Sequence, residues 1–164
     1  MNDVHLHLIV THLPIVGVLI GFLILLTGYI TKSPQVKATA LGIFIFSALA
    51  TIAAFYTGEG AEDIVEKLPG VSETLIHKHE ELAELFYTMM LILGGASLVA
   101  LFIHYKKSAF AKYGFIVVLL LSLSNIVISK YVGTSGGEII HAEIRGGADN
   151  LIQLDSHHDN DDDD

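Results

Sequence analysis

The sequence predicts an all-α fold, a polytopic membrane protein built as a bundle of four transmembrane helices. Of its 164 residues, 52% are hydrophobic and only 16% charged, and the mean hydropathy is +0.58, more apolar than an ordinary soluble domain. Four segments contain no Asp, Glu, Lys or Arg, at residues 8–30, 38–57, 85–103 and 113–129. Each approaches the roughly 20 residues that a helix needs to cross a bilayer. Alternating barrel strands are absent, so helices must satisfy the backbone in lipid.

The first span carries histidines near its start. His5 and His12 are seven residues apart and therefore share a helical face, whereas His7 points elsewhere. Pro14 has no N–H to donate to the carbonyl of Val10, so we expect a kink or a freed carbonyl beside His12.

Helix starts and packing signals follow along the chain. Gly17 and Gly21 form a GxxxG pattern, which lets another helix approach closely. Ser33 followed by Pro34 is typical of the first residues of a helix, and Ser72 is a good N-cap for a helix that continues into the third span.

Between spans two and three we expect a short amphipathic helix lying on the end of the bundle. Ala61, Ile64, Val65 and Leu68 follow the i, i+3, i+4, i+7 rule, while the carboxylates between them turn away. Pro69 and the following glycine then turn the chain.

His79 is the central residue of the polar stretch 57–84. It lies within a stripe of apolar residues at helical spacing, while His77 and Glu81 point the opposite way. One histidine therefore faces the packed side of its helix and the other faces water. The stripe consists of Leu75, Ile76, Leu82, Ala83 and Phe86.

The chain divides into a four-helix transmembrane domain, residues 1–147, and a disordered acidic tail, residues 148–164, in which like charges repel. The six aspartates of residues 155–164 account for most of the net charge of −9, since the other 12 carboxylates are balanced against nine Lys and Arg. We therefore expect no nucleic-acid partner. The absence of cysteine excludes disulfides, thiolate metal sites and covalently attached c-type haem.

The loops predict the orientation. Two short connections, residues 31–37 and 104–112, hold five of the nine basic residues and no acid. The positive-inside rule places them in the cytoplasm and both termini on the outer side of the membrane. All eighteen carboxylates and eight of the nine histidines then lie on the outer side, where we expect something to be bound.

Four blocks of sequence, THLPIVG, YTGEGAE, LPGVSETLIHKHEELAE and GGEIIHAEIR, occur in this order at the helix ends. Together they resemble the bacterial membrane family catalogued as domain-of-unknown-function family 2231. The resemblance covers nearly the whole chain except the tail and implies a four-helix membrane domain. Members can be joined to cytochrome-type domains, which implies a redox setting. The motif positions carried onto this chain are His12, Pro14, Gly58, Glu59, Glu62, His79, Glu80, Gly137, His141 and Glu143.

Two cofactor hypotheses remain open. His12 and His79, from facing helices, could ligate b-type haem as a redox-linked membrane cytochrome. Alternatively, imidazoles and carboxylates could bind a divalent transition metal, Zn, Cu, Fe or Mn. The candidate metal ligands are His12, His79, His141, Glu59, Glu62 and Glu80.

A third hypothesis is a structural or accessory membrane subunit that docks a partner and binds no cofactor. The sequence contains no HExxH motif and no motif for a Ser-His-Asp triad, so we assign no catalytic residue and expect no enzyme activity of the chain by itself. The expected partners are the lipid bilayer and either a redox protein or a second copy of the chain.

Overall fold

The computed structural model describes residues 3–69 and 71–145, apart from the side chain of Ala142. The predicted acidic tail lies outside the described residues. The described chain is helical and contains no strand. Its helices are α1 (Asp3–Val10), α2 (His12–Ile30), α3 (Pro34–Val65), α4 (Glu73–Tyr105) and α5 (Ala111–Ile140), followed by a 3₁₀ turn at Ala142–Ile144.

The first hydrophobic segment is divided at Thr11, where α1 ends and α2 begins. Pro14 lies three residues later and is fully buried. Its ring cannot donate to the carbonyl of Val10, as expected, whereas the kink stays a prediction, because Thr11 keeps helical dihedral angles. α1 packs against α3, as α2 does.

The long helices form a closed, antiparallel bundle. α2 contacts α3 and α5, and α4 contacts the same two helices, so each helix has two neighbours. Together α1 and α2, and α3, α4 and α5 singly, give four stretches that are long and apolar enough to cross a membrane. α3 contains 32 residues, and at 1.5 Å per residue it is about 48 Å long. Since hydrocarbon is only about 30 Å thick, the helices have room for polar ends beyond their apolar segments.

Small residues set the closest helix contacts. A Cβ added at Gly21 would lie 2.6 Å from Cε1 of Phe44, and one added at Gly17 would collide with Ser47. The predicted close approach at the GxxxG pair is therefore confirmed and is used inside the chain, between α2 and α3. The buried core around these contacts contains Val18, Leu25, Leu41, Phe44, Met90, Leu93 and Val118.

The separate amphipathic helix expected between spans two and three is wrong. α3 instead continues past its apolar segment to Val65 as one helix. Gly58 and Gly60, which weaken a helix in water, are here the places where α1 approaches α3. Ala61 is buried against the bundle, whereas Ile64 and Leu68 are 37% and 46% exposed, so the apolar pattern reflects the end of a long helix.

The helix starts follow the sequence signals. Ser33 is the N-cap of α3, its Oγ accepts from the N–H of Val36, and Pro34 opens the helix. At the other end of the chain, α5 runs through Gly137 to Ile140. Arg145 then folds back and donates from Nε to the carbonyl of Glu138 at 2.7 Å and from Nη2 to that of Ile139 at 2.9 Å. A cation bonded to the last carbonyls of a helix stabilises its C-terminus.

The adjacent residues Gly94 and Gly95 on α4 allow a matched test of helix packing. A Cβ at Gly94 would collide with Cβ of Ala48 on α3, whereas a Cβ at Gly95 meets nothing within 4 Å. We expect Gly94→Ala to lower the free energy of unfolding by about 1–3 kcal/mol, the usual cost of overpacking a core. Gly95→Ala should leave it unchanged or raise it, because alanine favours a helix. Denaturant unfolding in detergent measures both, and equal effects of the two variants would contradict this packing.

Candidate functional site

One end of the bundle gathers the polar groups of four segments. It is formed by α1, the last turns of α3, the first turns of α4 and the last turns of α5. Nζ of Lys78 on α4 lies 3.0 Å from Oε2 of Glu138 on α5. The carboxylates of Glu62 on α3 and Glu80 on α4 are joined by a hydrogen bond. We call this region the polar end of the bundle.

His79 faces into the polar end, as its helical phase predicts. Its Nδ1 lies 3.0 Å from Oγ of Ser135 on α5. Ser135 Oγ already donates its single proton to the carbonyl of Val132, so it must accept from Nδ1–H. This fixes the tautomer of the neutral ring, with the proton on Nδ1 and the lone pair on Nε2.

His7 on α1 is held in the same way. Its Nδ1 lies 3.0 Å from the carbonyl oxygen of Ala54 and 3.3 Å from Oγ1 of Thr57, both on α3. A carbonyl can only accept, and Thr57 Oγ1 donates to carbonyls of its own helix. Nδ1 of His7 is therefore the donor, and Nε2 again carries the lone pair.

Each of these imidazoles packs over a glycine. A Cβ at Gly58 would lie 3.1 Å from Cε1 of His7, and a Cβ at Gly136 would lie 3.0 Å from Cε1 of His79. Both distances are tighter than ordinary van der Waals contact. The two glycines thus give the rings room to lie against the backbone of α3 and α5.

The surroundings of His79 favour its neutral form. Burial lowers the pKa of His79, and His7 lowers that pKa further, because a charge on one ring disfavours a charge on the other. The polar end therefore holds two imidazoles, each fixed by a hydrogen bond from its Nδ1.

Glu62 and Glu80 form a proton-sharing pair beside these histidines. The hydrogen bond from Glu62 to Glu80, together with partial burial and repulsion from the Glu80 carboxylate, raises the pKa of Glu62 to about 7. Glu66 and Asp63 contribute further repulsion. Both groups lie beyond the apolar segments of their helices. Two like charges this close cannot both ionise readily, so the pair keeps a proton until the pH rises to about 7.

The structure brings together only some of the residues that the sequence singles out. His79, Glu62 and Glu80 lie at the polar end. Glu59 is exposed on the outer side of α3. His141 is exposed beyond α5, with Nδ1 2.9 Å from Oε1 of Glu143.

His12 is exposed on the surface of the bundle. Its Nδ1 donates to the carbonyl of Leu8 on the same chain segment at 2.6 Å, and its ring borders an apolar groove between α2 and α3 that includes Val16 and Phe46. Within residues 3–69 and 71–145, no group of three or more His, Cys, Asp or Glu side chains is arranged to hold a metal ion. The metal site of six ligands that the sequence suggested stays a prediction, and the positions of these side chains do not favour it.

Sequence reasoning missed His7 because periodicity within one segment does not say which of its faces packs against the bundle. His5 and His12 are both exposed, as expected for residues on one face. His7 lies seven residues before the buried Pro14, on the face that meets α3. Gly58 and Gly60 could have indicated this contact. Two glycines so close together in a helix suggest that another segment packs over them, and here that segment is α1.

Comparisons of the chain with models of protein families, with curated proteins and with solved structures found no match. The resemblance to domain-of-unknown-function family 2231 stays a prediction.

The carboxylate pair predicts a pH dependence of stability. Because the folded protein raises the pKa of Glu62, it holds that proton more tightly than the unfolded chain does. This contribution to stability is complete below the ordinary carboxyl pKa and is lost as the pH rises through about 7. In Glu62→Gln we expect this loss to disappear when unfolding is measured from about pH 5 to about pH 8.

His79, whose pKa is lowered, changes stability in the opposite direction over part of this range. The informative quantity is therefore the difference in the free energy of unfolding between wild type and variant at each pH. Glu59→Gln, an exposed carboxylate on the same helix, is the matched control and should leave the wild-type profile unchanged. A Glu62→Gln protein with that same profile would show that the pair shares no proton.

Proposed function

We propose that this chain is a multi-pass membrane protein that binds b-type haem at the polar end of its bundle, in a redox-linked role, with His7 and His79 as the protein ligands. The observation that carries the proposal is that both imidazoles have the same tautomer. Each donates a hydrogen bond from Nδ1 to a fixed acceptor and keeps a lone pair on Nε2. Iron binds imidazole through such a lone pair, and bundles hold haem between histidines of facing helices.

The residues around the two rings fit this role. Imidazoles that ligate metals usually donate their other ring N–H to a carbonyl, carboxylate or hydroxyl, which fixes the tautomer and the ring orientation. Ala54 supplies that acceptor for His7, and Ser135 supplies it for His79. Gly58 and Gly136 leave space beside the rings. When bound, the haem would supply one-electron chemistry.

The ligand set favours haem over a single metal ion. Zinc, copper, iron and manganese sites usually take three or four protein ligands, and the described residues form no such group. Haem needs only the axial ligands from the protein, because the porphyrin supplies four nitrogens. Two imidazoles without a third ligand therefore suit haem better.

The bilayer and its orientation belong to the same proposal. Four helices are long and apolar enough to span a membrane, and the short basic loops favour a cytoplasmic position for the end opposite the site. The polar end and both termini would then lie on the outer side of a bacterial inner membrane. A haem held there would be within reach of an external redox partner.

The absorption spectrum of protein purified in detergent tests the ligand assignment. We expect a Soret band in the wild type that is lost in His7→Ala and in His79→Ala, because each variant removes one of the two imidazoles that would hold the iron. His12→Ala and His77→Ala change exposed histidines on the same helical segments and should retain the band. Elemental analysis of the same samples reports any metal ion.

Other outcomes redirect the assignment. A band lost in His12→Ala but kept in His7→Ala would restore the pair expected from sequence. Stoichiometric metal without a Soret band would favour an ion site. Neither cofactor in membrane-extracted protein purified without chelators would leave the accessory-subunit hypothesis.

Reporter fusions test the orientation. A reporter that is active only outside the cytoplasm, fused after residue 164, should be active, and the same reporter inserted in the loop at residues 106–110 should be silent. The matched pair controls for expression, since both fusions carry the same four spans. The reverse pattern would place the polar end in the cytoplasm.

A further inference from the structure

The interior of the bundle contains a column of buried polar side chains below the polar end. Seven polar residues of the described chain are buried, and they come from α3, α4 and α5. Four lie on the buried face of α5, spaced along its length. The seven are Ser47, Thr51, Ser97, Ser122, Asn125, Ser129 and Ser135.

Contacts between helices place these residues at successive levels. Ser135 lies beside His79, and Nδ2 of Asn125 donates to the carbonyl of Met89 at 3.2 Å. Met89 and Ser97 are ten and eighteen residues after His79 along α4, which corresponds to about 15 Å and about 27 Å along the helix axis. The column therefore extends over nearly the thickness of a hydrocarbon layer, about 30 Å.

Two atoms in the column have no hydrogen-bond partner. Oδ1 of Asn125 and Oγ of Ser97 are both buried and unpaired, and both residues are 0% exposed. An unpaired polar group in an apolar interior costs roughly 1–3 kcal/mol. Tyr29 has a third such atom, its hydroxyl, near the opposite end of the bundle, where Lys37 lies 4.7 Å above its ring.

The remaining hydroxyls of the column offer acceptors. Those of Thr51, Ser122 and Ser129 each donate to a carbonyl of their own helix, which leaves their oxygen lone pairs available to accept a hydrogen bond. The column is thus rich in acceptors and poor in donors. Water complements such a surface, because each molecule has two protons to donate.

We propose that bound waters bridge this column and conduct protons along the bundle axis. A proton enters the chain of waters at one end, each water passes one of its own protons to the next, and one proton leaves at the other end, so no oxidant or co-reactant is needed. Among the described residues, no carboxylate is buried in the column. A metal cation there would lack a counter-charge, which favours neutral water.

The inference rests on the membrane-spanning part of the proposed function and not on haem. Its test is proton uptake by liposomes that contain the purified full-length chain, an internal pH-sensitive dye and a potassium gradient opened by valinomycin. We expect faster internal acidification than in protein-free liposomes. Soret absorbance is recorded on the same preparations, so protein that conducts protons without haem would overturn the haem assignment alone.

Two variants address the column directly. Asn125→Leu has a similar volume but removes the amide, and Ser97→Ala removes a hydroxyl that bonds to nothing in the protein. Both should reduce proton uptake toward the level of protein-free liposomes. Ser124→Ala changes an exposed serine on the same helix and should keep the wild-type rate.

Asn125→Leu also loses the bond to Met89, so circular dichroism and gel filtration must show that it folds. If it does not fold, Ser97→Ala decides the question, because that change breaks no bond in the protein. A wild-type rate in either folded variant, or wild-type protein no faster than empty liposomes, would overturn the proposal. Uptake that follows sodium or potassium instead of the proton gradient would assign the column to a cation and overturn it equally.

Discussion

The register between α3 and α4 determines where the groups at the polar end meet. Three contacts along these antiparallel helices agree on it: Gly94 against Ala48, the rings of Phe55 and Tyr87 stacked with centroids 4.5 Å apart, and Glu62 bonded to Glu80. In each pair the two residue numbers add to the same value, so the register between the two helices stays constant over about 21 Å. The carboxylate pair is therefore a consequence of packing in the apolar part of the bundle.

Glycines have the same role in the apolar part and at the polar end, since both need close approach. In the apolar part, Gly17 and Gly94 bring helices together where a methyl group would collide. At the polar end, Gly58 and Gly136 receive the imidazoles of His7 and His79. Glycine weakens an isolated helix, but in a bundle the packing that it permits compensates for that cost.

Buried polar groups in an apolar bundle must be hydrogen-bonded or hydrated. The histidines meet this requirement through backbone and hydroxyl acceptors, and the tautomers that result are the ones suited to ligand binding. Several column hydroxyls meet it through carbonyls of their own helices, as serine and threonine commonly do in membrane helices. Asn125 is bonded only through its Nδ2, and the hydroxyl of Ser97 has no partner among the described residues, which distinguishes these two residues from the rest of the column.

The sequence by itself determined four long apolar helices, the starts of α3 and α4, the missing hydrogen-bond donor at Pro14 and the inward direction of His79. These features depend on composition and on periodicity within one helix, which the residues encode locally. Only the tertiary structure decided that α3 continues through Gly58 and Gly60, that His7 and not His12 packs into the polar end, and that Glu62 lies beside Glu80. The face of the first segment that meets the bundle and the register between α3 and α4 both depend on packing between residues far apart in the chain. Neither can be read from one helix alone.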